Sequence, residues 1–158
     1  MTMLTNNITR MLDARKVRYT AYELPAEKLG AEETARLLNL PLELIYKTIV
    51  VRREGPGKPV LAVVPGDREV NLKLLAKALN EKKLHLPSER EAEQLTGLQA
   101  GGISPLALIN KGFQVVIDAR AQAHPEIHVS GGQRGLNISL PVADLVKLTN
   151  ARLADISS

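Results

Sequence analysis

Ile45-Tyr46-Lys47-Thr48-Ile49-Val50-Val51, or IYKTIVV, is the stretch on which the reading of this chain turns. β-Branched and aromatic residues dominate it, so it reads as a strand whose alternate side chains point to opposite faces. That places Lys47 on the face of Ile45, Ile49 and Val51, among apolar neighbours. An ammonium group there must snorkel to water, meet an anion or give up its charge. Read from the pattern alone, a strand lysine of this kind is more often a snorkelling residue than a functional one.

Working outward, Arg53 to Pro59 (REGPGKP) is a Gly- and Pro-rich break, and Val60 to Pro65 (VLAVVP) is a second apolar run, so the two runs form a hairpin. Upstream, Asn6 or Asn7 caps a helix with Ile8, Met11 and Leu12 at helical spacing, ending before Val17. RYTAYEL follows as a strand through Tyr22. A second helix begins after Gly30, with Thr34, Leu37 and Leu38 on one side, and stops at Pro41. The segment PLELIY is a short turn into the central strand.

Downstream, Asn71 caps a helix whose stripe is Leu72, Leu75, Ala76 and Leu79 and which Asn80 closes. Ser88, with Glu91 three residues on, forms a capping box for a helix reaching Leu95. A glycine-containing loop, TGLQAGGISPLAL, leads to the strand FQVVIDA. EIHVSGGQRGLNISL is two strands joined by a glycine-rich turn. Pro141 opens a last helix with Val142, Leu145 and Val146 inward. Hairpins mixed with helices, without strict β-α-β alternation, predict an α+β fold: a mixed, largely antiparallel sheet or partial barrel with flanking helices.

The chain has 158 residues, 44% hydrophobic, which suits a single domain spanning 1–158. With no tryptophan and one phenylalanine, the core must be aliphatic, and aromatic base stacking is a poor way for this protein to hold nucleic acid. The absence of cysteine removes disulfides, thiolate nucleophiles and cysteine-bound metals together. No segment has signal-peptide character or spanning length, so the expected setting is cytoplasmic, with no membrane contact. Net charge is +4, with basic residues grouped at Arg52, Arg53 and Lys58 and again at Lys73, Lys77, Lys82, Lys83 and His85. Each group is either a solvated face or a patch that steers phosphates.

Three features carry chemistry: Lys47, the loop Gly101-Gly102-Ile103-Ser104-Pro105, and the turn Ser130-Gly131-Gly132-Gln133-Arg134-Gly135. Paired glycines let the backbone approach a ligand and aim several N–H groups at an anion or a developing oxyanion. Taken singly, either pair also reads as an ordinary turn. Neither loop has P-loop or dinucleotide-binding spacing, and Ser130 is not in a nucleophile elbow. His124 and His128 have zinc-like spacing, but Pro125 breaks the helix they would need, and no metal or other cofactor is expected.

IYKTIVV, GGISP and VSGGQRGL, in this order and at these separations, resemble the YbaK/EbsC family of aminoacyl-tRNA deacylases over nearly the whole chain. The resemblance implies a fold like the editing insertion of bacterial prolyl-tRNA synthetase, with a sheet wrapped around an aminoacyl pocket. It implies that Lys47, Gly101 and Gly102 are catalytic, and that Tyr22, Ile103, Ser104, Pro105, Ser130, Gly131 and Gly132 bind substrate. The implied substrate is the 3′ aminoacyl end of mischarged tRNA, usually Cys-tRNA(Pro), with prolyl-tRNA synthetase as a partner. With no nucleophile of the protein's own, the substrate thiol would attack its own ester, and Lys47 would act electrostatically rather than as a base.

Two positions depart from that family's pattern. Leu98 stands where many relatives carry tyrosine, and Asn137 where many carry aspartate. Both changes leave two other readings open: a deacylase for Ala- or Ser-tRNA that uses water, and a noncatalytic module that binds tRNA or a synthetase.

Overall fold

The structure, a computed structural model, describes residues 5–158; residues 1–4, where the segment read above for a leader begins, lie outside it. In chain order the elements are α1 (Asn7–Ala14), β1 (Thr20–Glu23), α2 (Ala31–Leu38), β2 (Tyr46–Arg53), β3 (Val60–Pro65), α3 (Leu72–Leu79), β4 (Leu84–His85), α4 (Glu89–Thr96), β5 (Gln114–Asp118), β6 (Glu126–Ser130), β7 (Leu136–Pro141), α5 (Val142–Thr149) and β8 (Arg152–Ala154). Short 3₁₀ turns at Leu42–Leu44, Pro105–Leu108 and Ala119–Ala123 join some of them. No described helix is long and apolar enough to cross a membrane.

The strands form a five-stranded sheet ordered β4-β2-β3-β5-β8 and a three-stranded sheet ordered β1-β7-β6. The expected hairpin is present, with Tyr46 opposite Pro65 and Val51 opposite Val60. The small sheet is antiparallel throughout, whereas β3–β5 and β5–β8 are parallel pairs. The fold is therefore α+β with a mixed sheet and mostly antiparallel pairing. Parallel neighbours need a crossover, and the chain between β3 and β5 supplies α3 and α4 for it.

Alternation along β3 divides the core into two layers. Leu61 and Val63 face the small sheet, in a cluster with Ile127, Val129, Leu136 and Ile138. Val60, Ala62 and Val64 face the other way, onto Leu75 and Ala76 of α3 and onto Ile156. A strand covered on both faces must read as a continuous apolar run, as VLAVVP does. Each fully buried leucine or isoleucine there contributes about 1.5–3 kcal/mol relative to exposure.

Helix boundaries follow local chemistry. Asn6 caps α1 and Ser88 caps α4, each in a reciprocal capping box, and Asn71 caps α3. Asn39, Asn80 and Asn150 end α2, α3 and α5 in the left-handed conformation, which asparagine tolerates because its short amide can bond locally. The expected inner face of α2 needs correction. Thr34 and Ala35 are buried, but Leu37 is 38% exposed. At 100° per residue Leu37 falls well outside the arc holding Ala31, Thr34, Ala35 and Leu38, so it belongs to the solvent side.

One edge of β2 is fully taken by β3, and the other is divided. At its start, Ile45 makes a parallel bridge to His128 of the small sheet; at its end, Arg52 and Arg53 pair with the two residues of β4. Between these contacts that edge of β2 has no ladder partner among the described residues. The peptide groups there are unpaired by any ladder, and the two sheets diverge around them.

Candidate active site

That divergence makes a cavity of about 460 Å³, with Tyr46 to Val50 of β2 along its wall. Opposite walls come from the Glu27–Ala31 segment before α2, from Leu86–Glu89 ahead of α4, and from the ends of β6 and β7. Lys47, Gly101, Ile103 and Ser130 line it, so the strand lysine and both glycine loops border one space.

The loops reach that space by packing on each other. A Cβ on Gly102 would lie 2.8 Å from Gln133 Cα, so the two backbones touch and only glycine fits there. Arg134 Nε donates to Ala100 O at 2.8 Å, tying the second turn to the first loop. From the far side, Asn6 Nδ2 donates to Gly131 O at 2.9 Å and to Gln133 Oε1 at 3.1 Å, so the cap of α1 also steadies the second turn.

The other residues named from sequence lie behind this surface. Ser104 is fully buried and its Oγ accepts from Leu106 N at 3.1 Å, capping a 3₁₀ turn that Pro105 opens. Gly132 has a φ of +92° and backs onto Ile8, while Gly131 N–H is bonded to Leu136 O. Gly102, Ser104, Pro105, Gly131 and Gly132 are not among the lining residues, and neither are Tyr22 and Leu98. Leu98 packs instead against the core cluster shared by the two sheets.

Backbone donors can be counted. Gly102 N–H is committed to Gln99 O at 2.8 Å, whereas Gly101 N–H and Ile103 N–H have no partner among the described residues. Ser130 Oγ accepts from Gly132 N at 3.2 Å, which leaves its own proton available.

Lys47 resolves the question its strand position posed by snorkelling to an anion. Its side chain is 23% exposed, and Nζ donates to Glu69 Oε1 at 3.0 Å. Glu69 has no recognisable sequence signal. Its carboxylate is largely in solvent, but its backbone is fixed by two hydrogen bonds with Ser158, each 2.9 Å. The cation thus stands at the cavity wall in an ion pair that faces water.

A polar cluster, buried at His128 and Asn137 and half-buried at Tyr22 and Ser130, lies on the small-sheet side. Tyr22, Ser130, His128 and Asn137 share one face by register, with Tyr22 opposite Asn137 and Asn137 opposite Ser130. His128 Nδ1 lies 2.8 Å from Asn137 Oδ1, and the Tyr22 and His128 rings are 5.3 Å apart. Asn137 lines the cavity. Burial holds the His128 pKa below its ordinary value, against a smaller opposing effect of the Asn137 hydrogen bond, so the neutral ring is favoured. Donation from Nδ1–H to the amide oxygen then leaves the Asn137 NH₂ free to donate elsewhere. Tyr46 and Thr48, on the adjoining face of β2, each bury a hydroxyl that has no partner among the described residues. Burial raises the Tyr46 pKa well above the usual phenol range, with nearby Asp118 adding to it.

With this geometry in place, comparison with known proteins decides the family. The profile of the aminoacyl-tRNA editing domain matches residues 25–148. The chain belongs to the aminoacyl-tRNA editing domain family. A member from Enterococcus faecalis, EbsC, described as a candidate Cys-tRNA(Pro)/Cys-tRNA(Cys) deacylase, is 36% identical across 99% of this chain and 96% of its own. The proline–tRNA ligase of Geobacter metallireducens is 30% identical over 70% of this chain but only 19% of the ligase, so this editing domain corresponds to a small part of that enzyme. Among solved structures, a hypothetical protein superposes with a TM-score of 0.88 at 24% identity, covering 97% of this chain and 100% of the other. A candidate trans-editing enzyme for prolyl-tRNA synthetase superposes at 0.80 and 24% identity, covering 99% of each chain. These two share the editing-domain fold.

Proposed function

We propose that this chain is a trans-acting aminoacyl-tRNA deacylase that clears mischarged tRNA, with Cys-tRNA(Pro) as its substrate. The observation that supports this most is the convergence of Lys47, Gly101, Ile103, Ser130 and Asn137 on one cavity of about 460 Å³, a size suited to an aminoacyl ester and its ribose. The full-length similarity to EbsC bears on the same reading.

In the proposed reaction the cysteinyl thiol attacks its own ester carbonyl. A carbon–sulfur bond forms, the ester carbon–oxygen bond breaks, and the proton lost by sulfur ends on the ribose oxygen, giving a thiolactone and free tRNA. Gly101 N–H and Ile103 N–H face the developing oxyanion, taking the donor role the sequence reading gave to Gly101 and Gly102. Lys47 adds positive charge beside it, in exchange for its pair with Glu69. The Asn137 NH₂ and Ser130 hydroxyl orient the aminoacyl group. Prolyl-tRNA synthetase is the expected partner that presents the tRNA, in the cytoplasm.

The test is discharge of Cys-, Ala- and Ser-tRNA(Pro) side by side with the product identified. Rapid loss of Cys-tRNA(Pro) with thiolactone is the expected result. Free alanine or serine as the main product would move the substrate and bring in water, and no discharge of any of the three would end the enzymatic reading.

A further inference from the structure

The two basic groups of the sequence meet different fates in the fold. Arg52 pairs with Glu91 at 2.9 Å. Arg53 is held by Glu81, Gln114 and the Lys58 carbonyl, and Lys58 Nζ rests 5.3 Å from the Phe113 ring centroid. That group is compensated internally. Lys73, Lys77, Lys82 and Lys83 are all exposed, and none has an ion-pair partner among the described residues.

Their arrangement is costly to the fold taken alone. Lys73 and Lys77 are four residues apart on α3, so like charges stack on one helical face, which destabilises a helix by a few tenths of a kcal/mol. Lys82 and Lys83 follow in the short connection to β4. After β4 the chain becomes the cavity wall at Leu86, Pro87, Ser88 and Glu89. Leu86 is 55% exposed, the most exposed large apolar side chain described, and it stands at the cavity. It is three residues from Lys83, about 10 Å along extended chain. An unneutralised lysine series therefore leads to an uncovered leucine, which leads to the cavity.

We propose that this segment is the track for the single-stranded 3′ end of the substrate RNA. The terminal base rests against Leu86 as its ribose ester enters the cavity, and the phosphates of the preceding nucleotides run along Lys83, Lys82 and the exposed lysines of α3. An aliphatic side chain covers a base face without reading its edge, so contact here is indifferent to sequence. This rests on the deacylase reading and extends it to how RNA is held.

The experiment compares wild type with a Lys73→Ala/Lys77→Ala/Lys82→Ala/Lys83→Ala variant, Leu86→Ala, and a control Lys111→Ala/Lys147→Ala that removes exposed lysines elsewhere. Deacylation of Cys-tRNA(Pro) is followed over a salt series. The quadruple variant should raise KM about tenfold or more with kcat within about twofold. Its dependence of log KM on log salt should flatten by up to about three, since each of the four phosphate contacts on a single strand contributes about 0.7. Leu86→Ala should raise KM several-fold without changing the salt slope. On a cysteinyl ester of a CCA trinucleotide, which lacks the outer phosphates, the lysine effect should shrink and the Leu86 effect should remain. If the quadruple variant matches the control in KM and slope, the track is not there. If wild type discharges nothing, the deacylase reading fails separately, and filter binding of uncharged tRNA to the same variants still decides the surface.

Discussion

In β3 all six residues are buried and none is polar; in β7 the five buried residues include Asn137 and Ser139 beside leucine and isoleucine. The five-stranded sheet is covered on both faces by its own chain, so its middle strand carries only aliphatic packing. The small sheet has one aliphatic face turned to the core and one polar face carrying Tyr22, His128, Ser130 and Asn137. A polar face is stable only if its groups find partners or water. The cavity lies on that side, which is why the fold can open there without exposing its core. Aliphatic packing and polar side chains are thereby divided between the two sheets, with β2 at the seam between them.

This division can be broken most sharply at the seam. Lys47→Ala should lower kcat for Cys-tRNA(Pro) by about 10²–10³, the range seen when one stabiliser of an oxyanion is removed. Its thermal midpoint should stay within a few degrees of wild type, because the side chain snorkels and its ion pair is exposed. Unchanged turnover would remove Lys47 from the reaction. The converse change lies in the large sheet, where Leu61→Ala should cost about 3 kcal/mol in denaturant unfolding. Turnover per folded molecule should be preserved, and a loss of kcat would show that the two sheets are coupled.

A smaller effect is expected from Glu69→Gln. The pair it makes with Lys47 is largely solvated and worth at most about 1 kcal/mol. Releasing the ammonium for the developing oxyanion should therefore raise kcat by up to about fivefold with KM little changed; a fall in kcat would mean Glu69 holds the lysine in its working position. The smallest effect belongs to His128. Its folded pKa lies below the ordinary 6.5, so the unfolded chain binds more protons over the interval beneath that value. Stability should consequently rise with pH up to about 6.5. His128→Gln should flatten that rise in thermal unfolding, and an unaltered slope would place its origin elsewhere.

Much of this molecule was legible because its signals are local. Asn6, Asn71 and Ser88 announce helix starts through bonds within three residues, and REGPGKP can only be a turn. The strand order was not legible: β4 and β8 are two and three residues long, and the parallel neighbours of β5 are chosen by distant packing. At the site, Lys47 was visible as a charge in an apolar strand. Asn137 gave a fainter signal, an amide between Leu136 and Ile138, and was read as a family departure rather than a cavity group. Glu69 and Leu86 had none, since an exposed glutamate and a leucine beside a proline resemble any surface until the chain is folded. The glycine pairs mark where backbones meet, but only the hydrogen bonds reveal that Gly102 N–H is already spent on Gln99.

An open strand border is an invitation for another polypeptide to dock as an extra strand, and sheets commonly defend such borders with a lysine. Lys47 stands near the start of the unladdered stretch of β2, between the bridge at Ile45 and the pairing at Arg52. The residue to which catalysis is proposed here therefore also guards against self-association, and a protein stripped of it should be prone to join edge to edge with its own copies.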